Sequence, residues 1–300
     1  MRITQRALAL NSLRGLNSNL AAVNRLQSQM TSGKTISKPS DDPTGTNTSL
    51  ITRQTIAGNA QQARNISDGK TFLDASDSAL QNMLDQVRRV RDLTVQALNS
   101  GSSSTASDTA IATEVSGVRQ SLIGQANQVV QGVPIFGGVT TGNTAYDATG
   151  AYVGAGGANG VAVQPRTRRV SDVEAIRVDI TGPEAFGNPA SGKDLFTVVG
   201  NVINDVASGT ALTTDLQDLD KIISGLTKAA ADVGTRAARM DTADSVNSAD
   251  ALTLQTKLSS TEDVDLPKTI MELQMQQTGY QAALSVTAKS LQPTLIDFLH

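Results

Sequence analysis

Two apolar repeats, one near each end of the chain, constrain the fold most strongly. Their apolar residues recur in steps of three or four, which places them in one stripe along a helix with a period close to that of a coiled coil. An amphipathic helix cannot bury its stripe alone, so each repeat requires a partner. The predicted assembly seam comprises Ile3, Leu10, Leu13, Leu20 and Val23 near the N-terminus, and Leu273, Tyr280, Leu284, Leu291, Leu295 and Phe298 near the C-terminus.

The two repeats carry opposite charge. The segment before Asp41 contains basic residues and no acidic residue, whereas acidic residues outnumber basic ones from Glu262 onward. Opposite charge and matching periodicity favour pairing of the two repeats with each other, although each could pair with a different molecule. The alternative is internal packing within an ordinary helical bundle.

Further helices are predicted inside these repeats, at about 59–99, 109–131 and 216–260, by the same apolar spacing. The intervening segment is rich in glycine and contains short alternating runs such as VEAIRVDI, which are typical of strands. The predicted fold is therefore mainly α, an elongated helical rod or coiled coil formed by the N- and C-terminal segments, with a small β-rich inserted domain. The predicted domains are a terminal coiled coil, disordered before assembly (1–40 and 262–300), a helical rod (41–131 and 195–261) and the β-rich insert (132–194).

Composition excludes several classes of function. Cysteine is absent and the one histidine is His300, which removes thiolate chemistry and leaves no internal histidine for a Ser-His-Asp triad or a metal site. A net charge of -3 argues against nucleic acid as a partner. No apolar run approaches the roughly 20 residues of a membrane span, so membrane insertion is not expected. The glycine-rich segment lacks the lysine and hydroxyl residue that complete a phosphate-binding loop. We therefore predict no enzymatic activity, no cofactor and no metal site.

The loop TSGKTISKPSDDPTGT, residues 31–46, interrupts the otherwise helical N-terminal region. Pro39 and Pro43 prevent a continuous helix, and the carboxylates of Asp41 and Asp42 can accept hydrogen bonds from free backbone amides. No histidine, cysteine or third carboxylate lies nearby in sequence, so these aspartates are interpreted as the connection between two helices. The loop is also predicted to contact a neighbouring subunit. A second acidic cluster, Asp215, Asp218 and Asp220, could ligate calcium weakly but is better explained as a negatively charged helix start.

The order and spacing of these motifs resemble the bacterial flagellin superfamily, which includes filament flagellins and hook–filament junction proteins. The resemblance rests on the opening helix with SGK and the DD loop, on LDQVRRVRDLTVQALN at 84–99, and on the segment 233–299. The loop KPSDDPTG and the ending LQPTLIDFLH depart from the usual filament flagellin pattern. The segment ANQVVQGVPIFGG at 126–138 is similar to the turn of junction proteins, with VPI in place of RYI.

This resemblance implies a structural subunit that joins filament to hook, exported unfolded without a cleaved signal peptide, and located outside the cell in the flagellum. The implied partners are copies of itself, another hook-associated protein on the hook side, flagellin on the filament side, and an export chaperone at the C-terminal helix. In some flagellins an innate immune receptor reads the segment at 84–98, where Arg89 and Leu93 occupy the matching positions.

Two alternatives remain at this stage. One is a filament flagellin with a short insert. The other is a surface adhesin or glycan-binding homologue, because the insert contains enough aromatic residues for a small stacking platform: Phe136, Tyr146, Tyr152 and Phe186.

Overall fold

The computed structural model describes residues 5–99, 105–140, 142–155 and 164–291. Across these ranges the chain is mainly α-helical, as predicted, with long helices and a few short strands. The helices are α1 (Gln5–Ser32), α2 (Pro43–Asn99), α3 (Thr105–Ala126), α4 (Gly182–Phe186), α5 (Leu195–Ser208), α6 (Leu212–Glu262) and α7 (Leu266–Leu291), and Pro189–Ser191 form a 3-10 turn. The strands are β1 (Val129–Val130), β2 (Val133–Pro134), β3 (Thr167–Arg169) and β4 (Ala175–Arg177).

The chain divides into two compact units. The terminal unit comprises residues 1–58 and 251–300, and the central unit comprises residues 59–250. In the terminal unit α1 packs against α7. The two helices run antiparallel, since the amide of Val264 bonds the carbonyl of Gly33 at 3.1 Å while Gln276, farther along α7, bonds Asn19, farther back on α1.

The central unit has one large apolar core. Within it α2 and α6 run antiparallel: Asn59 and Asn247 exchange side-chain-to-backbone hydrogen bonds of 3.1 Å, and Arg91 pairs with Asp220 much later along α2. The helix α3 packs on α5. We did not predict α5 as a separate helix. Asp194 caps its start, since its carboxylate accepts from the amide of Thr197, and the left-handed Gly209 follows its last residue.

Regular β-structure among the described residues is limited to two hairpins, of which the first begins just before the predicted insert. The strands β1 and β2 join through Gln131 and Gly132, both with positive φ (51° and 79°), as tight two-residue hairpins require. The strands β3 and β4 pair antiparallel, with Arg168 opposite Ile176. The alternating pattern that predicted a β-rich insert therefore corresponds to short ladders.

Candidate assembly site

The predicted seam is only partly buried. On α1, Val23 is 8% exposed and lies in the same buried stripe as Leu16 and Leu26, while Leu273 and Tyr280 of α7 are half-buried. The other described seam residues keep between 41% and 53% of their surface exposed: Leu10, Leu13, Leu20 and Leu284. Ile3, Leu295 and Phe298 lie outside the described residues, and of Leu291 only its place at the end of α7 is described.

The terminal unit also exposes apolar side chains that the seam prediction did not include. They retain between 57% and 73% of their surface: Leu50, Ile51, Leu252, Met271 and Met275. Soluble monomers rarely leave so many large apolar side chains exposed in one small unit, and such surfaces commonly mark sites of association. The pairing of α1 with α7 thus leaves many large apolar side chains of the described terminal unit exposed.

The connection between α1 and α2 bonds to the connection between α6 and α7; we call this contact the crossed-loop joint. Lys34 and Asp263 form an isolated antiparallel bridge. The amide of Thr35 donates to the carbonyl of Glu262 at 2.6 Å, and the amide of Val264 donates to the carbonyl of Gly33 at 3.1 Å. Gly33 has a φ of 68°, a left-handed conformation that glycine adopts without strain.

Charged side chains reinforce the crossed-loop joint. Glu262 is only 4% exposed and receives both a 2.9 Å and a 2.6 Å hydrogen bond from the guanidinium of Arg53, the paired geometry that arginine and carboxylate favour. The ammonium of Lys34 lies 2.7 Å from Asp263 and 3.2 Å from Glu262. Hydrogen bonds from Arg53, then Ser49, then Lys34 lower the pKa of Glu262 to about 2. The opposite charges of these segments are visible in the sequence, but the pairing of Arg53 and Lys34 with Glu262 is not.

The aspartates of the α1–α2 loop bond to their own backbone. A carboxylate oxygen of Asp41 accepts from the amides of Ser37 and Lys38 at 3.1 and 2.9 Å. Asp42 caps α2 by accepting from the amide of Gly45 at 2.9 Å, with Pro43 as the first residue of that helix. This cap explains why α2 begins at Pro43 and not near residue 59, where the apolar pattern starts.

The four loop residues that we predicted to contact a neighbouring subunit all lie at the surface. They are exposed, and so available to another molecule: Pro39, Asp41, Asp42 and Pro43.

The residues matching the receptor-read segment do not form an exposed pair. Arg89 lies at the surface of α2, where its guanidinium bonds Glu114 of α3 at 2.7 Å. Leu93 is buried in the core of the central unit. Recognition of Leu93 by another protein would require this core to open.

The prediction of an aromatic stacking platform is wrong. All four rings are buried, and they pack on one another and on Phe196 at tilted or edge-to-face angles. Tyr146 lies at the centre, with ring centroids 4.7 Å from Phe196 and 5.3 Å from Tyr152. Residue types alone indicated aromatic surface, but the insert uses these rings as its own core.

The acidic cluster at the start of α6 does not converge on a metal site. Asp218 binds Lys193 and Lys221, and Asp220 binds Arg91, while Asp215 is buried. Within the described residues, no group of three or more histidine, cysteine or acidic side chains could hold a metal ion. Over the same residues, no helix is long and apolar enough to cross a membrane.

Comparison with known proteins identifies the family. The model of the bacterial flagellin N-terminal helical region matches residues 3–140, and that of the C-terminal helical region matches residues 216–299. Flagellar hook-associated protein 3 of Salmonella typhimurium is 26% identical over 94% of this chain and 95% of its own length. Flagellin of Bacillus subtilis is 28% identical over 97% of both chains. The fold matches that of Bacillus cereus FlgL with a TM-score of 0.59 at 23% identity, covering 70% of this chain and 99% of that one. The two matched regions, in this order and on these helices, place the chain in the bacterial flagellin superfamily.

Proposed function

We propose that this chain is a structural subunit of the bacterial flagellum that joins the filament to the hook. The observation that carries the proposal is the terminal unit, in which α1 and α7 pair yet leave apolar residues such as Leu13 and Met275 exposed. The near full-length similarity to flagellar hook-associated protein 3 favours the junction role. No enzymatic activity is proposed.

Assembly completes the burial of the terminal unit. Each Å² of apolar surface removed from water contributes about 25 cal/mol, whereas ordering each residue costs roughly 1 to 2 kcal/mol. One subunit alone buries too little of its seam to offset that cost, so residues 1–40 and 262–300 are disordered until neighbours supply the missing contacts. The exposed loop at Pro39, Asp41, Asp42 and Pro43 contacts one of those neighbours.

The proposed partners follow from the position between hook and filament. They are copies of this chain, another hook-associated protein on the hook side, flagellin on the filament side, and an export chaperone at the C-terminal helix. The subunit reaches the outside of the cell by flagellar export without a cleaved signal peptide.

A filament flagellin is the alternative, and the similarity to Bacillus subtilis flagellin over almost the whole chain favours it. Deletion of the gene separates the two roles. For a junction subunit, we expect hooks without filaments and flagellin released into the medium, and a plasmid copy should restore filaments. Normal filaments on the deletion strain, or hooks whose flagellin is neither assembled nor released, would contradict the junction role.

The crossed-loop joint gives a pH-dependent prediction. Glu262→Gln keeps the shape of the side chain but removes the charge that binds Arg53 and Lys34. Because the pKa of Glu262 is lowered in the fold, its contribution is complete above about pH 4.5 and is lost as the pH falls towards about 2. At pH 7 the variant should weaken the joint by about 1–3 kcal/mol. Fewer cells should then retain filaments after a fixed shear.

The same shear assay at lower pH provides the check. The difference between wild type and Glu262→Gln should shrink progressively as the pH falls from about 4.5 towards 2, because the contribution of the charged contact is lost over this range. Glu272→Gln is the matched control, because it removes an exposed carboxylate from α7. An equal loss of filaments in the control, or a difference that grows in acid, would contradict the role assigned to Glu262.

A further inference from the structure

Two acidic side chains, one buried and one half-buried, lie where α5 connects to α6 in the central unit. Asp205 is in the last turn of α5 and Asp215 is in the first turn of α6, with the connection at Gly209–Ala211 between them. Asp215 is 6% exposed, and its Oδ2 atom receives no hydrogen bond from any residue that the structure describes. Among the described residues, the Asp205 carboxyl group hydrogen-bonds that of Asp215, which is possible only if one of the two carries a proton.

The nearby lysine side chains form ion pairs with Asp218. Asp218, one turn along α6, accepts hydrogen bonds from Lys221 at 2.8 Å and from Lys193 at 3.1 Å, which lower its own pKa. The charged groups that act on Asp215 are Asp205 and Asp218, both acidic. A buried carboxylate that faces other carboxylates and has no cation is costly, and it commonly becomes neutral by taking up a proton.

Asp205 also takes part in the turn that connects α5 to α6. The amide of Thr210 donates to the carbonyl of Asp205 at 3.1 Å, and its hydroxyl lies 3.3 Å from the Asp205 carboxylate. Ala211 has a φ of 57°, a left-handed conformation that is unfavourable for a residue with a Cβ. A strained turn therefore lies between the two acidic side chains. Repulsion between the two carboxylates would destabilise this turn further.

We propose that Asp205 and Asp215 share one proton, and that this proton makes the α5–α6 connection a pH-sensitive contact that tightens in mildly acidic solution. Two carboxyl groups with one proton form a charge-assisted hydrogen bond and carry one negative charge between them. When the proton leaves, the negative charge of the buried Asp215 faces that of the half-buried Asp205, and the connection loosens. Among the described residues, no group of three or more side chains is arranged to hold a metal ion, which favours a proton over a metal ion.

The direction of the effect follows from the pKa. Burial, then the neighbouring Asp205, raises the pKa of Asp215 to about 6. A raised carboxyl pKa stabilises the fold in acid, where the group is protonated, and that contribution is lost as the pH rises through about 6. The folded protein is therefore expected to lose stability between pH 5 and pH 8, a range in which its other carboxylates stay ionised.

Thermal unfolding of the full chain at pH 5 and pH 8 tests the proposal. The wild-type Tm should be lower at pH 8 by roughly 3 °C or more, corresponding to an unfolding equilibrium constant about tenfold larger. Asp215→Asn replaces the protonated form with a neutral group of the same shape, so its Tm should change little over this range and exceed the wild-type value at pH 8. Asp220→Asn is the matched control, since it removes an exposed carboxylate of the same helix and should keep the wild-type pH dependence.

Two further results would overturn the proposal. Carbon-13 NMR of the side-chain carboxyl groups should show Asp215 titrating near pH 6, and this measurement does not depend on a variant that folds. Titration below about pH 4.5 would show that no proton is shared at mildly acidic pH. Calcium chloride at pH 8 should leave the wild-type Tm unchanged relative to Asp215→Asn. A calcium-dependent rise in wild type alone would show that the pair binds a cation in place of the proton.

Discussion

Replacement of Val23 by aspartate is expected to abolish attachment of filaments to hooks. Val23 is buried in the contact between α1 and α7, so the substitution puts a carboxylate without a cationic partner into an apolar contact. Burial of an unpaired charge costs several kcal/mol, more than a marginal helix pair can offset. Cells that produce this variant should export it, release flagellin into the medium and fail to swim. Electron microscopy of detached hooks and immunoblots of the medium measure both outcomes.

A neighbouring position provides the control. Asn24→Asp makes a similar change of charge on an exposed residue of α1, and it should leave filaments attached. The purified Val23→Asp protein should keep the wild-type Tm for unfolding of the central unit, because Val23 belongs to the terminal unit. Normal swimming by the Val23→Asp strain, or loss of the central unit's transition, would contradict a seam that acts in assembly.

The mainly helical fold could be predicted from sequence because its signal is local. The three- to four-residue apolar spacing of α1, α2, α6 and α7 is repeated over many turns, so single exceptions do not obscure it. Helix limits were harder to predict, since a side-chain cap decides them: α2 begins at Pro43, capped by Asp42, although its apolar pattern starts later. Turn residues with positive φ, such as Gln131, give no comparable pattern.

The crossed-loop joint and the carboxyl pair could not be predicted because their partners are distant in sequence. Lys34 and Asp263 are 229 residues apart, and a segment's net charge does not specify which two side chains meet. The aromatic residues of the insert illustrate the same limit. The sequence shows that Tyr146 and Phe186 are aromatic, but only the structure shows that their rings face each other and not the solvent.

Replacement of Tyr146 by alanine is expected to produce the largest loss of stability in the central unit. The ring is buried and packs against Tyr152, Phe186 and Phe196, so its removal leaves a cavity that the rigid surroundings fill poorly. Truncation of a large aromatic core residue costs about 3–5 kcal/mol. The Tm of this unit should fall by roughly 10 °C. Differential scanning calorimetry of the full chain measures the change.

Tyr146→Phe separates the ring from its hydroxyl. The hydroxyl is buried against Gly182, where a Cβ would collide with it, and it has no hydrogen-bond partner among the described residues. Burial also raises its pKa, so it stays neutral. Removal of a buried polar atom without a partner should leave the Tm unchanged or slightly higher. If Tyr146→Phe instead lost as much stability as Tyr146→Ala, the hydroxyl would have to make a strong hydrogen bond, and the insert's aromatic cluster would be more than an apolar core.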